Sequence, residues 1–417
     1  MPSQNALEFF SQPIHIICPQ IILNKKSLNT PKLYQGSGSI TRSSSGQLKL
    51  ELACADDNTW SSLLEFITEI GEEQGDLVVV NDQSVGIGKI VPETEYFSLT
   101  AIDCQGREWT STRVLIHERR FQNNQVLIAQ LDEICHTAQL VSNEDAYIYL
   151  KLSGELKIPC NRVMQTEEEL LGLHVAIFSA CGYNFIIKPE AGGTLIEVNS
   201  KCNYLPDLIE SRICEALQFV LGDLVSWSTL ELNQANQQTI RIRTSFKGIN
   251  QTKKICPPIR FEKVDITEDI WILYEKYLYY ILNYNEKELH PISGWVSRII
   301  EARTTYLEVE MLTLSVAIES LLEIQLLKKE FMDNNSSNLK SQILLVQEQI
   351  KALALEESFK KRLYGFFSNM NSVSATDRLR DLVDKKLLDK KLVDAWKQIR
   401  NKAAHGYILE PEKLEIF

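Results

Sequence analysis

Apolar and polar residues alternate along much of the first 118 residues. Residues 47–52 follow this period of two, which is typical of a half-buried strand. Residues 96–102 and 109–116 flank a turn sequence that ends at Gly106, so they predict a hairpin with a longer loop. The pattern therefore predicts a β-rich region over residues 1–118.

Two glycine- and serine-rich stretches in this region, 36–39 and 43–46, predict loops. The stretch at 36–39 is not a phosphate-binding loop, because no lysine followed by serine or threonine stands at the required spacing. No motif in the β-rich region therefore points to nucleotide chemistry.

Helical and strand patterns are mixed over residues 119–245. Residues 124–139 have a helical period, and 205–221 predict a helix that starts near Pro206 and stops at Gly222. Further strands are predicted at 146–152, 175–179, 194–198 and 240–244. The two regions together predict an N-terminal α+β module that is rich in strands.

The period changes to that of helices after residues 246–264, which contain Pro257 and Pro258 and predict a linker. Residues 265–417 then predict an all-α domain. Its expected helices are 271–282, 291–300, 304–327, 339–354, 356–367, 375–383 and 389–405. Because 304–327 is apolar almost all round, we expect it at the buried centre of a helical bundle.

Composition narrows the class of protein. At 417 residues the chain should hold two or three domains, and a net charge of -11 argues against attraction to nucleic acid over the whole surface. Nine dispersed cysteines favour reduced thiols over a disulfide framework. The first residues lack the pattern of a signal peptide, and no long apolar run predicts a membrane span. We therefore expect a cytoplasmic protein.

The last predicted helix carries the most informative pattern. With Leu392 as the reference, Trp396, Ile399 and Ala403 form an apolar stripe, whereas Lys397, Asn401 and His405 lie with Asp394 on the opposite face. Arg400 lies on the flank, about 140° from His405 around the helix. One straight helix cannot aim both side chains at one point, so the pattern predicts half of a site.

Charge around this helix end favours an anion site. Residues 341–405 contain 13 Lys and Arg against 8 Asp and Glu, a net charge of +5, so the remaining residues sum to -11 − 5 = -16. Lys397 and Lys402 stand next to the motif and are candidates for binding phosphate. Two other interpretations stay open: a solvated lysine face, and basic residues that complement the helix dipole.

Three segments together carry a resemblance: Ala317–Leu322 with Glu319, Asp377–Leu382 with Arg378 and Arg380, and the run from Ile399 to Gly406 that contains Arg400, Asn401 and His405. Over about residues 300–410 the chain resembles the HEPN domain, more narrowly the Apea-like HEPN group of anti-phage defence proteins. The arginine, the polar residue after it and the histidine five positions on match the signature of that family. Glu319 is expected to need a basic partner, for which Arg378 or Arg380 would serve.

The resemblance implies a metal-independent endoribonuclease without a cofactor, which cuts RNA, with tRNA as one kind of target, in a groove between two paired HEPN domains. His405 would be the acid/base, Arg400 would bind the scissile phosphate, and Asn401 would orient the imidazole or a phosphate oxygen. A two-fold dimer would supply two histidines and two arginines, which the reaction needs. The N-terminal module would sense a phage-derived trigger or select the target.

Two alternatives remain at this stage. A HEPN dimer without catalytic activity would use the basic helix end to bind RNA or a partner protein. The chain would otherwise be the toxin half of a toxin–antitoxin pair that an unseen partner silences. Formation of 2′,3′-cyclic phosphate ends in the presence of EDTA separates the enzyme from the binding protein.

Overall fold

The fold is described from a computed structural model. It covers residues 2–11, 13–25, 32–54, 92–121, 125–140, 146–154, 156–163, 173–190, 192–201, 204–245, 254–260, 267–284, 289–303, 305–323, 336–370 and 374–404. The chain divides into two compact units. The N-terminal unit comprises Met1–Gln251 and Cys256–His290, and the C-terminal unit comprises Thr252–Ile255 and Pro291–Phe417.

The N-terminal unit is built on one antiparallel sheet. Its strands are β1 (Ile14–Lys25), β2 (Leu33–Arg42), β3 (Leu48–Cys54), β4 (Phe97–Ile102), β5 (Glu108–Phe121), β6 (Gln125–Leu131), β7 (Glu133–Gln139), β8 (Tyr147–Ser153), β9 (Arg162–Val163), β10 (Leu173–Ala180), β11 (Tyr183–Glu190), β12 (Gly193–Ser200), β13 (Trp227–Gln234) and β14 (Gln237–Arg243). Its helices in the described ranges are α1 (Gln4–Phe10), α2 (Ile209–Leu221) and α3 (Thr267–Leu282).

The strands follow the order β4-β1-β2-β3-β6-β5-β7-β14-β13-β8-β12-β11-β10-β9. Because β4 also pairs with β5, the first six strands of this order close on themselves. The β4–β5 pair is the hairpin that the sequence predicts at 96–116. The closed part surrounds an apolar core that includes Ile21, Ile40, Leu50 and Trp109, all fully buried.

The predicted fold class, an α+β module followed by an all-α HEPN bundle, is wrong, because the N-terminal region is a closed β-barrel with extra strands and not an α+β module. The described C-terminal region is helical, in agreement with the prediction. The region predicted as α+β forms the 14-stranded antiparallel sheet, and the helix predicted at 124–139 is instead the two strands β6 and β7. Burial alternates residue by residue along β6, and a bend at Asp132 shifts the phase before β7 begins. Because the buried positions of β6 and β7 are out of phase, the apolar residues of the combined segment are spaced at close to 3.6 residues, as in a helix. This spacing explains the wrong prediction.

The predicted start of the helical domain also differs from the observed division. Helix α3, which was expected in the domain at 265–417, packs on α2 and β10 and belongs to the N-terminal unit. Trp271 of α3 stacks on Phe178 of β10 with ring centroids 4.0 Å apart. The helix predicted at 205–221 forms, but it begins at Ile209, after Leu208 in a left-handed conformation.

The loop predicted at 36–39 is wrong, since these residues lie within β2. Gly38 pairs with Leu52 and Gly36 pairs with Cys54 of β3. A Cβ atom added to Gly38 would stand 1.9 Å from the backbone oxygen of Glu51. Glycine therefore stands here because β3 comes too close for any side chain, and not because the chain turns. The loop predicted at 43–46 does form a turn.

Replacing Gly38 with alanine should destabilise the N-terminal unit by about 1–3 kcal/mol, because either the new Cβ or the backbone of Glu51 must move. Urea unfolding followed by far-ultraviolet circular dichroism measures the loss. Gly294→Ala is the matched control, since nothing lies within 4 Å of its Cβ position in a helix and alanine is favoured there by about 0.5–1 kcal/mol. A Gly38→Ala protein as stable as wild type would contradict the close approach.

The C-terminal unit is helical in the residues that the structure describes. Its helices are α4 (Pro291–Ala302), α5 (Leu307–Glu323), α6 (Ser336–Ala352), α7 (Glu357–Met370), α8 (Ala375–Asp384) and α9 (Lys390–Ala404). Helix α5 packs against α4, α8 and α9. The prediction that it is buried all round is wrong, because Val309, Leu312 and Val316 are 45%, 46% and 41% exposed.

Candidate functional site at the last helix

Helix α9 exposes its polar residues to solvent because its apolar face is buried against α5 and α8. Val393, Trp396 and Ile399 are buried, and Val393 and Trp396 join Leu322 of α5 and Leu379 of α8 in one apolar cluster. At its start the backbone amide of Lys391 donates to Asp389 Oδ1 over 2.9 Å. The predicted stripe is thus right at Trp396 and Ile399 and wrong at Leu392, which is 56% exposed while Val393 takes its place.

Arg400 lies on the flank of α9, as the helical projection predicts, and it has a partner. Its Nε donates to Oε1 of Glu319 on α5. Its guanidinium carbon also lies 6.0 Å from the centre of the Trp396 ring. The Arg400 and Glu319 side chains are 46% and 35% exposed, so water and a ligand can both reach the pair.

The partners predicted for Glu319 bind elsewhere. Arg378 Nη1 donates to Oε1 of Glu323 over 2.5 Å and to the backbone oxygen of Leu322 over 2.7 Å. Nη1 of Arg380 lies 3.7 Å from Oδ1 of Asp377 on the same helix. The C-terminal half of α5 therefore offers two carboxylates, one turn apart, and each holds an arginine from a different helix.

The other predicted site residues surround Arg400 on the same helix. Asn401 and Lys402 are exposed and Lys397 is half-buried. None of these three side chains makes a hydrogen bond or an ion pair with a residue of the described ranges. His405 lies outside the described residues, so its predicted proximity to Asn401 stays a prediction.

The predicted positive charge around α9 comes mainly from lysines. The arginines nearby are paired with carboxylates, and Lys385 lies 2.9 Å from Asp381. The lysines that have no carboxylate partner among the described residues are Lys386, Lys390, Lys391, Lys397 and Lys402. An anion that approaches the helix end therefore meets lysines whose charge is not already neutralised.

The ion pair between Arg400 and Glu319 is the feature that the sequence did not predict. Glu319 and Glu323 stand four residues apart in the C-terminal half of α5, and this spacing puts both on one face of the helix. Val309, Leu312, Val316, Glu319 and Glu323 follow one another at steps of three and four residues. The same face thus changes from exposed apolar residues to the two carboxylates, a pattern visible in the sequence.

Comparison with known proteins found no matching protein family, no matching curated protein and no matching solved structure. Throughout the described ranges, no three His, Cys, Asp or Glu side chains are grouped so that they could hold a metal ion. Among the described helices, none combines the length and the apolar character needed to cross a membrane.

Proposed function

We propose that this protein is a metal-independent endoribonuclease of the HEPN type, which acts in the cytoplasm on tRNA or other cellular RNA in anti-phage abortive infection. The observation that carries the proposal is the end of α9. There Arg400, Asn401 and lysines that have no carboxylate partner in the described ranges stand together on the side of a helix that faces away from its buried side. This arrangement, just before His405, suits the binding of a phosphodiester.

The proposed reaction uses the RNA's own 2′-hydroxyl as the nucleophile. A base removes the hydroxyl proton, O2′ bonds to phosphorus, and the bond from phosphorus to O5′ breaks as an acid protonates O5′. His405 supplies the acid/base group, and Arg400 neutralises charge on the pentavalent phosphorane. Asn401 orients the imidazole or a phosphate oxygen, while Lys397 and Lys402 bind neighbouring phosphates.

The reaction needs a base and an acid, and one chain supplies one histidine in this motif. A homodimer through the C-terminal unit supplies the second. The apolar stripe of Val309, Leu312 and Val316 supports such a dimer, since three large apolar side chains at helical spacing are each more than 40% exposed. The stripe continues along α5 to Glu319, the partner of Arg400.

A binding protein without catalytic activity is the second candidate. It is favoured by the ion pair with Glu319, because an arginine that a carboxylate already neutralises stabilises the extra negative charge of a phosphorane less strongly. The enzyme is preferred because only one of the three guanidinium nitrogens of Arg400 bonds to a described residue.

One assay decides between the two candidates. The purified full-length protein, incubated with a mixture of cellular RNAs in EDTA, should yield fragments that end in 2′,3′-cyclic phosphate, because no step uses a metal. Sequencing of the RNA ends with and without phosphatase treatment identifies this product. Cleavage only after addition of Mg²⁺ would contradict the mechanism, and an active monomer would contradict the shared site.

A further inference from the structure

We propose that Glu319 is a positioning residue for Arg400. The Glu319 carboxylate holds the guanidinium of Arg400 in the orientation that receives the scissile phosphate. This inference rests on the proposed ribonuclease function. It starts from one contact, in which Arg400 Nε on α9 donates to Glu319 Oε1 on α5. The contact joins residues 81 positions apart in the chain, so only the packed helices create it.

The choice of nitrogen matters for phosphate binding. A guanidinium has five N–H groups in one plane, one on Nε and two on each Nη. Glu319 occupies Nε, and within the described part of the chain neither Nη1 nor Nη2 has a partner. The two Nη atoms are therefore open to two oxygens of a phosphate, the paired geometry in which arginine binds this group best.

The neighbouring pair on α5 shows what a purely structural contact looks like. Arg378 uses Nη1 for both Glu323 and the backbone oxygen of Leu322, and its side chain is only 13% exposed. The Arg400 side chain is 46% exposed and is held at Nε. Two pairs with the same chemistry thus differ in the property that ligand binding requires, which is access to the Nη atoms.

Loss of the Glu319 charge has two opposite effects. The carboxylate repels a phosphate, so its removal strengthens the attraction of the helix end for RNA. The carboxylate also restrains a long side chain, so its removal lets the guanidinium leave the orientation that the reaction needs. A positioning role therefore predicts a lower kcat without weaker RNA binding. A structural role predicts lower stability, with kcat and KM near those of the wild type in the folded protein.

Glu319→Gln in the full-length protein should lower kcat for RNA cleavage by about 10- to 100-fold, with KM unchanged or decreased. Glu319→Asp keeps the charge and should restore part of the rate. Glu323→Gln is the matched control, because it breaks the other pair on the same helix face. It should leave kcat and KM near wild type and lower only the midpoint of thermal unfolding.

A Glu319→Gln protein with wild-type kcat would overturn the inference, and so would an equal loss of kcat in Glu323→Gln. A wild-type protein that does not cleave RNA would overturn the proposed function instead. Affinity for a non-cleavable 2′-deoxy oligonucleotide then still tests the pair. The effects of Glu319→Gln and Arg400→Ala on that affinity should be non-additive in the double variant, and additive effects would overturn the positioning role.

Discussion

Replacing His405 with alanine should slow RNA cleavage by about 10²- to 10⁴-fold, the range expected when a general acid or base is removed. In the proposed homodimer the substitution removes both imidazoles, so neither the proton of the 2′-hydroxyl nor that of the leaving O5′ has a carrier in the protein. Arg400 and the lysines of α9 remain, so the affinity for RNA should change little. The rate is measured with a labelled RNA under single-turnover conditions in EDTA.

His15→Ala is the matched control for this prediction. His15 is an exposed histidine on β1 of the N-terminal unit, so the substitution removes the same chemical group far from the motif in sequence. It should leave the rate of cleavage at the wild-type value. A His405→Ala protein that cleaves as fast as wild type would contradict the assignment of the acid/base, whatever the identity of the RNA.

Replacing Trp109 with alanine should destabilise the N-terminal unit by about 3–5 kcal/mol, the usual cost of truncating a buried aromatic side chain. Trp109 is fully buried in the core of the closed strands. Its ring meets that of Phe9 on α1 edge to face with centroids 5.1 Å apart. Its Nε1 also donates to Asp103 Oδ2 over 3.1 Å. The substitution would therefore leave a cavity, loosen α1 and remove a donor from a buried carboxylate.

The lost donor matters because Asp103 is charged in the fold. Burial alone raises the pKa of Asp103, but hydrogen bonds from Trp109, from Arg107 and from the amide of Gln105 lower it below the ordinary value. A lowered pKa stabilises the fold at pH values above the pKa of the unfolded chain, and this stabilisation is lost as the pH falls through the folded pKa. Trp109→Phe keeps a ring but lacks the N–H, so it should lose less stability than Trp109→Ala. The stability that Trp109→Phe loses relative to the wild type should be larger at neutral pH than in acid.

Urea unfolding, followed by far-ultraviolet circular dichroism at two pH values, measures both effects. Ile17→Ala on β1 is the control, because its side chain is 57% exposed and should cost no more than about 0.5 kcal/mol. A Trp109→Ala protein within that margin of wild type would show that the closed strands do not depend on this side chain.

The helices of the C-terminal unit were predicted close to their observed bounds, whereas the N-terminal unit was predicted only in part. Strands β3, β4, β8 and β14 follow from alternation in their own residues. Strand β2 was missed because its glycines indicated a loop. They are instead glycines because the backbone oxygens of Glu51 and Ala53 on β3 leave no room for a Cβ atom. Residues 125–139 were missed because two short strands in different phase share a helical spacing.

The candidate site, too, was predicted from the sequence only in part. The sequence placed Arg400 on the flank of the last helix and Asn401 away from the core, and both placements are confirmed. Leu392 and Val393 stand four and three positions before Trp396, so both fit the helical spacing of the core stripe. Only the facing residues Leu322 and Leu379 decide in favour of Val393.

Helices were predicted better than strands and the ion pair because the interactions that form them act over different distances along the chain. A helix bonds residues four positions apart, so the local sequence of 390–404 already specifies α9 and the direction of its side chains. A strand bonds residues that can lie far apart, as Gln139 of β7 does with Gln237 of β14, so its partner is chosen only when the sheet assembles. The contact between Glu319 and Arg400 is of this second kind. The residues of the motif could thus be found in the sequence, whereas the carboxylate that holds its arginine was decided by the packing of α5 against α9.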